Sequence, residues 1–357
     1  MSRRHRSRES TVNQDRLFEV DRAPKRPRLE GVEPSFRFVD LFAGVGGFRL
    51  ALEANGGTCV FSSEWDQFAQ KTYRANFGET PRGDITKIEA SDIPKFDILT
   101  AGFPCQPFSS IGKRQGFAHR TQGTLFFDIL RIAKAHRPAA LLLENVPGLL
   151  SHDGGNTWTT ILGALQEADY YVFFRILDSA EFGVPQYRER VYIVAFDREK
   201  LKTPNFGWPN ARKQQVGIGK YLETGVTDRS ISRHLQRVYI NKFDDGHPQI
   251  IDTKSDFPVK TLVASYHKIQ RITGTFVKDG PTGLRLLTEN ECKKIMGFPK
   301  NFKLPVSRTQ MYRQLGNSVA VPVARKVSEQ IVRTLIDARI IRLEPKKATR
   351  NRGKGRR

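Results

Sequence analysis

Short apolar runs alternate with longer amphipathic stretches over residues 36–197, and this alternation restricts the possible folds more than any other feature. The apolar runs are rich in β-branched and aromatic residues, as buried strands are. There are five of them, at 36–43, 58–64, 96–102, 139–146 and 191–197. Between the runs, apolar residues recur at helical spacing, as from Phe126 to Ala133. The alternation predicts an α/β fold in which a mostly parallel sheet carries helices on both faces.

The rest of the chain differs from this part in composition. Residues 201–283 break into short polar pieces that contain glycine and threonine, which predicts a smaller domain of mostly strand and loop. After Pro322, apolar residues return at helical spacing, which predicts one further helix packed back on the α/β domain. The tails at either end lack an apolar period and are expected to be disordered. The predicted divisions are 1–35, 36–200, 201–283, 284–315, 316–343 and 344–357.

The chain is strongly basic, with 59 Lys and Arg against 37 Asp and Glu and a formal net charge of +22. More than half of this surplus lies in the two tails, where a solubilising or non-specific arm is the simplest interpretation. Residues 201–283 are also basic, with thirteen Lys and Arg against seven acidic residues, and this segment has the composition of folded chain. The charge therefore predicts a polyanionic partner.

Several classes of protein are excluded by composition. With 38% hydrophobic residues the chain can form a packed core, so it is not wholly disordered. No run approaches the roughly 20 apolar residues of a membrane span, and no apolar stretch follows the basic N-terminus as in a signal peptide. Cys59, Cys105 and Cys292 are too far apart for a CxxC zinc site and odd in number for a disulfide framework. We therefore expect an intracellular protein with no membrane partner and no metal.

A glycine-rich turn, DLFAGVGGF, follows the first predicted strand and opens a helix. Gly44, Gly46 and Gly47 allow a tight turn and a close approach of the backbone to a ligand. The dinucleotide fingerprint requires a further glycine where this chain has Arg49, so a pyrophosphate ligand is disfavoured. A tight turn without a ligand is the alternative interpretation of these glycines alone.

Three side chains near the next strand ends strengthen the prediction of a ligand. Glu64 ends the second predicted strand, Trp65 follows it directly, and Asp84 lies in GDIT. A carboxylate for ribose hydroxyls, an aromatic face and a second carboxylate for an exocyclic amine describe a nucleoside pocket without phosphates.

Cys105 lies in GFPCQPFS, a loop between two prolines at the carboxyl edge of the predicted sheet, where open α/β sheets bind ligands. This position does not suit a core thiol and favours a nucleophile, which nearby cations hold as the thiolate. The following residues, 109–124, are glycine-rich and basic, as is typical of a mobile lid.

Glu144 and two arginines complete the candidate residues. Glu144 follows an apolar run in LLLENV, which suggests a buried carboxyl with a raised pKa, although a solvated glutamate is the alternative. Arg188 and Arg190 alternate with Glu189 in QYRERV, so on an extended chain both point to one face and could bracket an anionic group. Solvated charge is the ordinary interpretation of such a run.

Taken in order, DLFAGVGGF, EW, GDIT, GFPCQPFS, ENV, QYRER and LGNSVAVP resemble the motifs of the cytosine-C5 DNA methyltransferases. The likeness is greatest to the single-specificity bacterial enzymes of restriction–modification systems, and it covers about residues 36 to 340. TENECKKIMGFP resembles the penultimate motif of the family, and KTL resembles the Thr-Leu pair of its target-recognition domain. The implied fold is the Rossmann-like sheet of S-adenosylmethionine-dependent methyltransferases with a smaller, mostly β and loop target-recognition domain at 201–283.

The resemblance implies methyl transfer from S-adenosylmethionine to C5 of a cytosine within a specific double-stranded DNA sequence. It assigns Cys105 as the nucleophile that attacks C6 and Glu144 as the group that holds N3 and the amino group. Arg190, supported by Arg188, is assigned the contact with the base O2. The positions matching cofactor contacts are Phe42, Gly44, Gly46, Glu64, Trp65, Asp84, Ile85, Pro104, Asn317 and Val319.

For this chemistry the target base must rotate out of the duplex. Gln106 and Ser109 match loop positions near the flipped nucleotide, and Thr261 matches the threonine of the target-recognition domain. Ile111 stands where some relatives carry the small polar residue that fills the vacated stack, so the filling residue is not predicted. The resemblance further implies a monomer in the bacterial cytoplasm, with a cognate restriction endonuclease as a functional partner only.

Other functions remain open at this point. An RNA cytosine methyltransferase needs a second motif cysteine, and neither Cys59 nor Cys292 suits that role. A transfer-RNA enzyme with the DNA-type motifs is harder to exclude, although a smaller and less basic insert than 201–283 is expected there. A regulatory module without activity is expected to lack the cysteine or the glutamate, and a cysteine hydrolase needs an activating histidine for which there is no local signature. The DNA recognition sequence is not predicted.

Overall fold

The computed structural model describes residues 32–104, 125–212 and 214–345. The strands are β1 (Val32–Leu41), β2 (Gly57–Ser63), β3 (Ile98–Gly102), β4 (Ala140–Asn145), β5 (Tyr170–Asp178), β6 (Glu189–Asp197), β7 (Gln249–Ile251), β8 (Thr275–Val277) and β9 (Arg342–Pro345). The helices are α1 (Gly47–Glu53), α2 (Gln67–Phe77), α3 (Leu125–His136), α4 (Asn156–Glu167), the single turn α5 (Arg233–Leu235), α6 (Glu289–Met296), α7 (Arg308–Asn317) and α8 (Val321–Asp337). None of these helices is both long and apolar enough to cross a membrane.

The large sheet has the strand order β2-β1-β3-β4-β6-β5. Its first four strands are parallel, and β6 is antiparallel to both β4 and β5. The chain passes from β1 to β2 on one side and later to β3 on the other, so the strand order reverses between β1 and β3. Open α/β sheets bind their ligands beside such a point, at the carboxyl edge.

The predicted α/β fold is confirmed, and the five predicted strands correspond to β1, β2, β3, β4 and β6. The edge strand β5 is not among the predicted ones, although its sequence YYVFFRILD is aromatic and β-branched. Most of its side chains are only partly buried, and Arg175 interrupts the apolar run that marks a central strand.

Two hydrophobic cores lie on opposite faces of the sheet. Phe38 and Ile98 are register partners that pack with α1 and α8, whereas the next pair, Val39 and Leu99, packs with α3 and α4. This alternation follows from the two-residue period of a strand. Helices therefore cover both faces, and the last helix packs back on the sheet, as predicted.

A third core is built almost entirely from residues between 218 and 315, including α6 and α7. Leu201 and Phe206 belong instead to the core beneath α8, and Trp208 packs against it. The segments predicted as a domain at 201–283 and a hinge at 284–315 therefore share one core, while the first residues of that domain pack on the sheet. The strand content of this part is small, because β7 and β8 have only three residues each, and loops predominate. The division into domains stays a prediction.

A buried ion-pair network holds this third core together. Arg285 and Glu291 are both fully buried, and the guanidinium donates one hydrogen bond of 2.9 Å to each oxygen of the Glu291 carboxylate. Arg285 Nε also donates to Asp279 at 2.8 Å. The same Glu291 accepts from the backbone N–H of Thr288, whose side chain caps α6. Such paired charges are tolerated in a core only when every group is satisfied.

We therefore expect Glu291→Gln to destabilise the protein by about 3–5 kcal/mol, because it leaves the Arg285 charge buried without its main partner. Lys326→Ala breaks an exposed ion pair with Glu329 and is the matched control, with an expected loss of at most about 1 kcal/mol. Urea unfolding measures both. Equal losses of unfolding free energy in the two variants would show that the buried network contributes no more to stability than an exposed ion pair does.

The two ends of the described chain meet in an antiparallel ladder. The first four residues of β1 pair with β9, so that Val32 lies opposite Pro345. The prediction of disordered tails over 1–35 and 344–357 is therefore wrong for the residues in this ladder. The remainder of both tails lies outside the described residues.

Candidate active site

Most of the described candidate residues lie along the carboxyl edge of four adjacent parallel strands. Phe42 and Gly44 follow β1, Glu64 follows β2, Pro104 follows β3 and Glu144 lies at the end of β4. Because β6 is antiparallel to β4, its first residues, including Arg190, lie at this same edge. With about 4.8 Å between strands, the edge from β2 to β6 spans roughly 19 Å.

The carboxylate of Glu64 is buried and joins the ends of β1 and β2. Its Oε2 accepts from the Gly44 N–H at 2.8 Å, and its Oε1 accepts from the Asp66 N–H at 2.8 Å. Burial raises the pKa of Glu64, and these two backbone hydrogen bonds oppose the rise. The adjacent Trp65 ring is 78% exposed, the largest exposure of any large apolar side chain in the described ranges. A fixed carboxylate and an open aromatic face therefore lie side by side.

The glycine turn requires residues without a side chain at two positions. A Cβ on Gly46, which has a φ of 89°, would lie 2.3 Å from the Phe77 ring. A Cβ on Gly47 would lie 2.8 Å from both Ser318 Oγ and Val319 Cγ2. The second contact brings LGNSVAVP (315–322), here called the late motif, onto the first turn of α1. The Asn317–Val319 segment therefore lies beside the turn, although the two are far apart in the sequence.

Beside Gly44, by contrast, no atom of the described residues other than Gly44 and its two chain neighbours lies within 4 Å of the position that a Cβ would take. Phe42, which precedes it by two residues, also has a positive φ, of 55°, and its side chain packs against the core beneath α3 and α4. The backbone turn therefore leaves open space directly at the residue whose N–H is held by Glu64.

Arg49, at the position of the missing fingerprint glycine, is buried and neutralised. It donates to Glu53 at 2.7 Å and to Tyr73 at 3.1 Å, it also pairs with Glu79, and it lies over the Phe77 ring. The charge of Arg49 is therefore paired within the fold and is not free to bind a phosphate at this part of the turn.

Asp84 and Ile85 reach the edge through a short bridge. Arg82 pairs in parallel with Ser63, the residue before Glu64. Asp84 then caps the following turn by accepting from the Thr86 N–H at 3.0 Å, and Ile85 is buried. Both residues are therefore held next to the end of β2.

Glu144 and Arg190 form a buried charge pair. Glu144 is 8% exposed, and its Oε1 lies 3.1 Å from Arg190 Nε. The contact is an ion pair without hydrogen-bond geometry, and Oε1 has no hydrogen-bond partner among the described residues. Burial raises the pKa of Glu144, whereas Arg190 and Arg188 oppose the rise. A buried carboxyl oxygen without a partner is costly unless a ligand supplies one.

Arg188 has a different environment from Arg190. Its guanidinium donates to three backbone carbonyls, those of Leu262 at 3.2 Å, Gly316 at 3.0 Å and Ser318 at 2.7 Å. Burial, with the nearby Arg190 charge, lowers its pKa to about 10. Arg188 therefore joins the strand of Arg190 to the late motif and to the segment of Thr261.

Thr261 uses its hydroxyl to donate to the Tyr187 carbonyl at 2.7 Å. Next to it, the Leu262 N–H donates to Gln186 Oε1 at 2.6 Å, and Gln186 is fully buried. The predicted DNA contact of Thr261 stays a prediction, while its contact in the structure joins the third core to the sheet.

The loop of the predicted nucleophile lies beside Glu144 where it begins. Gly102 is the register partner of Glu144, and Asn145 donates to the Phe103 carbonyl at 2.9 Å. Pro104, the last described residue before the loop, is exposed. Cys105, Gln106 and Ser109 lie outside the described residues. Within the described ranges, no group of three His, Cys, Asp or Glu side chains could hold a metal ion.

Three polar residues of this edge are missed by the sequence analysis. Asn145 and Gln186 fasten neighbouring segments, and the signal in each case is a polar residue beside a predicted catalytic one. Asp40 is fully buried in β1 and accepts from Thr100 at 2.9 Å, while its Oδ2 has no partner in the described part of the chain. Burial raises its pKa to about 7, and the Glu64 charge adds to the rise. The sequence signal for Asp40 is a carboxylate inside an apolar run.

Comparison with known proteins identifies the family. The profile of C-5 cytosine-specific DNA methylases matches residues 36–333. The chain is 55% identical over 321 residues to the type II methyltransferase M.MspI of Moraxella sp, covering 90% of this chain and 76% of the relative. It is 56% identical over 292 residues to M.BsuFI of Bacillus subtilis, covering 82% and 71%.

A solved structure shares the fold. The Dnmt2 methyltransferase of S. pombe superposes with a TM-score of 0.66 at 22% identity, over 85% of this chain and 99% of that one. At this identity the match supports the fold alone. The family profile and the type II methyltransferase relatives support the DNA-directed activity among those that the sequence leaves open. The chain belongs to the C-5 cytosine-specific DNA methylases and is a DNA (cytosine-5)-methyltransferase of the type II restriction–modification kind.

Proposed function

We propose that the enzyme transfers a methyl group from S-adenosylmethionine to C5 of a cytosine in a specific duplex sequence, through a covalent Cys105–C6 adduct on a flipped base. The observation that carries this proposal is the buried Glu144–Arg190 ion pair at the start of the Cys105 loop, in which Glu144 Oε1 accepts no hydrogen bond from the described residues. A polar base with complementary donors and acceptors supplies this hydrogen bond.

The residues at the ends of β1 and β2 fit the cofactor. Each oxygen of Glu64 accepts one backbone hydrogen bond, which leaves a lone pair on each for the ribose hydroxyls. Trp65 offers its exposed face to the adenine, and Asp84 a carboxylate to the adenine amine. Phe42, Gly44, Gly46, Ile85, Pro104, Asn317 and Val319 complete the proposed contacts. When bound, the cofactor supplies an electrophilic methyl group on a sulfonium sulfur.

Cytosine C5 is a poor nucleophile, and Cys105 is proposed to activate it. The thiolate forms a bond to C6, and the electron pair of the 5,6 double bond moves to make C5 nucleophilic. After C5 has taken the methyl group, its proton passes to solvent and the electron pair of the C5–H bond re-forms the 5,6 double bond, while the thiolate leaves C6 with the electron pair of the C–S bond. The product is 5-methylcytosine, and the cysteine is regenerated.

Glu144 and Arg190 are proposed to stabilise the adduct. A protonated Glu144 donates to N3 and accepts from the exocyclic amine, so the negative charge that develops on the ring is neutralised as C6 is attacked. Arg190 donates to O2 of the same ring. Arg188, whose guanidinium is held by three carbonyls, is a positioning residue that keeps this strand and the late motif in register.

The burial of these groups supports the proposed base flipping. A cytosine stacked in B-DNA cannot present both its ring edge to a carboxyl that is 8% exposed and its faces to a thiolate and a methyl donor. Rotation of the nucleotide into the edge of the sheet meets both requirements. Gln106 and Ser109 are proposed to contact the flipped nucleotide.

A duplex with 5-fluorocytosine at the target tests the covalent route. We expect a complex that survives denaturing electrophoresis when S-adenosylmethionine is present, because fluorine on C5 cannot leave as a proton does. The same duplex with cytosine is the control and should give turnover without a trapped complex. Normal methylation of cytosine without any trapped species on the fluorinated duplex would rule out the adduct.

We also propose the biological setting. The enzyme acts as a monomer on the DNA of a bacterial cytoplasm, and its methylation protects that DNA from a cognate endonuclease. Bisulfite sequencing of plasmid DNA from cells that express it identifies the methylated sequence. Resistance of the same plasmid to an endonuclease of that specificity tests protection.

A further inference from the structure

Residues 265–274, here called the presenting loop, leave the third core next to the active site and return to it. The segment before it is held at the sheet, since the Leu262 N–H donates to Gln186 and the Leu262 carbonyl accepts from Arg188. The return is held by the buried Tyr266, whose hydroxyl donates to the Thr275 carbonyl. The start of the loop is thus fixed next to Arg188, and its end is fixed to its start.

Arg271 fastens the middle of the loop. It is 7% exposed and pairs with Asp245, and it donates to the carbonyls of Ile240 at 3.1 Å and Phe243 at 2.8 Å. Its neighbours on either side, Gln270 and Ile272, are exposed, and Ile272 is 68% exposed. An anchored arginine between two exposed residues keeps their positions defined without burying them.

Gln270 has its amide oriented by two hydroxyls. Ser265 Oγ donates to Gln270 Oε1 at 3.1 Å, and Thr273 Oγ1 donates to the same oxygen at 3.1 Å. An amide oxygen has two lone pairs, so both are in use. The side chain is exposed, and what it still offers to a partner is the pair of N–H donors on Nε2.

This orientation restricts which base edge the side chain can recognise. In the major groove, adenine presents an acceptor and a donor, and a glutamine that binds it needs both its N–H and its free carbonyl. Guanine presents two acceptors, N7 and O6, and requires only donors. We infer that Gln270 is a specificity-determining residue that donates to the N7/O6 edge of a guanine in the recognised sequence, with Ser265 and Thr273 excluding adenine by occupying its oxygen.

This inference rests on the proposed function, because it concerns which duplex the enzyme methylates. The first test compares kcat/KM on the recognised duplex and on duplexes in which each guanine in turn is replaced by adenine. We expect Gln270→Ala to reduce discrimination by about tenfold or more at a single guanine position. The loss of the two donors should leave the KM for S-adenosylmethionine unchanged. Gln166→Ala, an exposed glutamine on α4, is the matched control and should discriminate as the wild type does.

The second test frees the amide oxygen and keeps the donors. In the double variant Ser265→Ala, Thr273→Val, Gln270 can accept from the adenine amine while it donates to N7. We expect discrimination against adenine to fall at the position affected by Gln270→Ala, while methylation of the guanine duplex is retained.

Two results would overturn the inference. One is unchanged discrimination at every position in Gln270→Ala. The other is an equal loss on all duplexes with a flatter salt dependence, which is the behaviour of a phosphate contact. Absence of duplex methylation by the wild-type enzyme would instead contradict the proposed function itself.

Discussion

Replacing Cys105 by alanine or serine is expected to abolish methyl transfer while S-adenosylmethionine still binds. Without the thiolate nothing adds to C6, and C5 does not become nucleophilic. A serine hydroxyl stays protonated without an adjacent general base, so it cannot substitute. Single-turnover transfer of a labelled methyl group measures the first effect, and equilibrium dialysis of the cofactor measures the second.

Cys59→Ala is the matched control for this experiment. Burial raises the pKa of the Cys59 thiol to about 12, so it is not a thiolate at neutral pH and its removal should leave turnover in place. Retained turnover in either Cys105 variant would refute the covalent route. Loss of cofactor binding in both would show that the substitution disrupts the pocket and not the chemistry.

Glu144→Gln is expected to lower kcat by about 10²–10⁴-fold, which is the range of a single general acid. The glutamine keeps a donor and an acceptor for the cytosine edge, so DNA binding should persist. An amide cannot transfer a proton as the ring acquires charge. The rate of methyl transfer at saturating DNA and cofactor measures the loss.

The pH dependence of the same variant gives a separate test. Burial raises the pKa of Glu144 above that of an ordinary glutamate, and Arg190 and Arg188 oppose the rise. The protonated carboxyl is the active form, so wild-type kcat should be level at low pH and fall as pH rises through this pKa. The glutamine variant should lack this fall. Glu189→Gln, on the exposed neighbouring residue, should behave as the wild type. A wild-type rate that rises with pH over this range would assign Glu144 the opposite role.

The fold could be predicted from the sequence where periodicity alone determines burial. The central strands read as unbroken apolar runs because both of their faces are covered, and α8 reads as a helix because one of its faces packs on the sheet. The edge strand β5 was not predicted, because most of its side chains are only partly buried. The ladder of β1 with β9 was not predicted, because it joins residues that lie some 310 positions apart in the sequence. The composition around both strands is, in addition, typical of tails.

The candidate site was predictable as a set of motifs but not as an arrangement. Glu64, Trp65 and Glu144 could be proposed as site residues because each lies at or directly after the end of a recognisable strand. The three carbonyls that accept from Arg188 could not be predicted, since they belong to residues 74 to 130 positions after Arg188. A backbone carbonyl, moreover, leaves no signature in a sequence. The same holds for Gln270, whose meaning depends on two hydroxyls that fix the direction of its amide.

The ladder of β1 with β9 also determines where the chain can be cut and joined. Val32 and Pro345 are partners, so their Cα atoms are about 5 Å apart, and both lie some 30 Å along β1 from the glycine turn. A short peptide could therefore link the two ends and yield a circular permutant with new termini in another surface loop. By the same geometry, the two ends of the described chain lie at the end of β1 that is opposite to the carboxyl edge of the sheet.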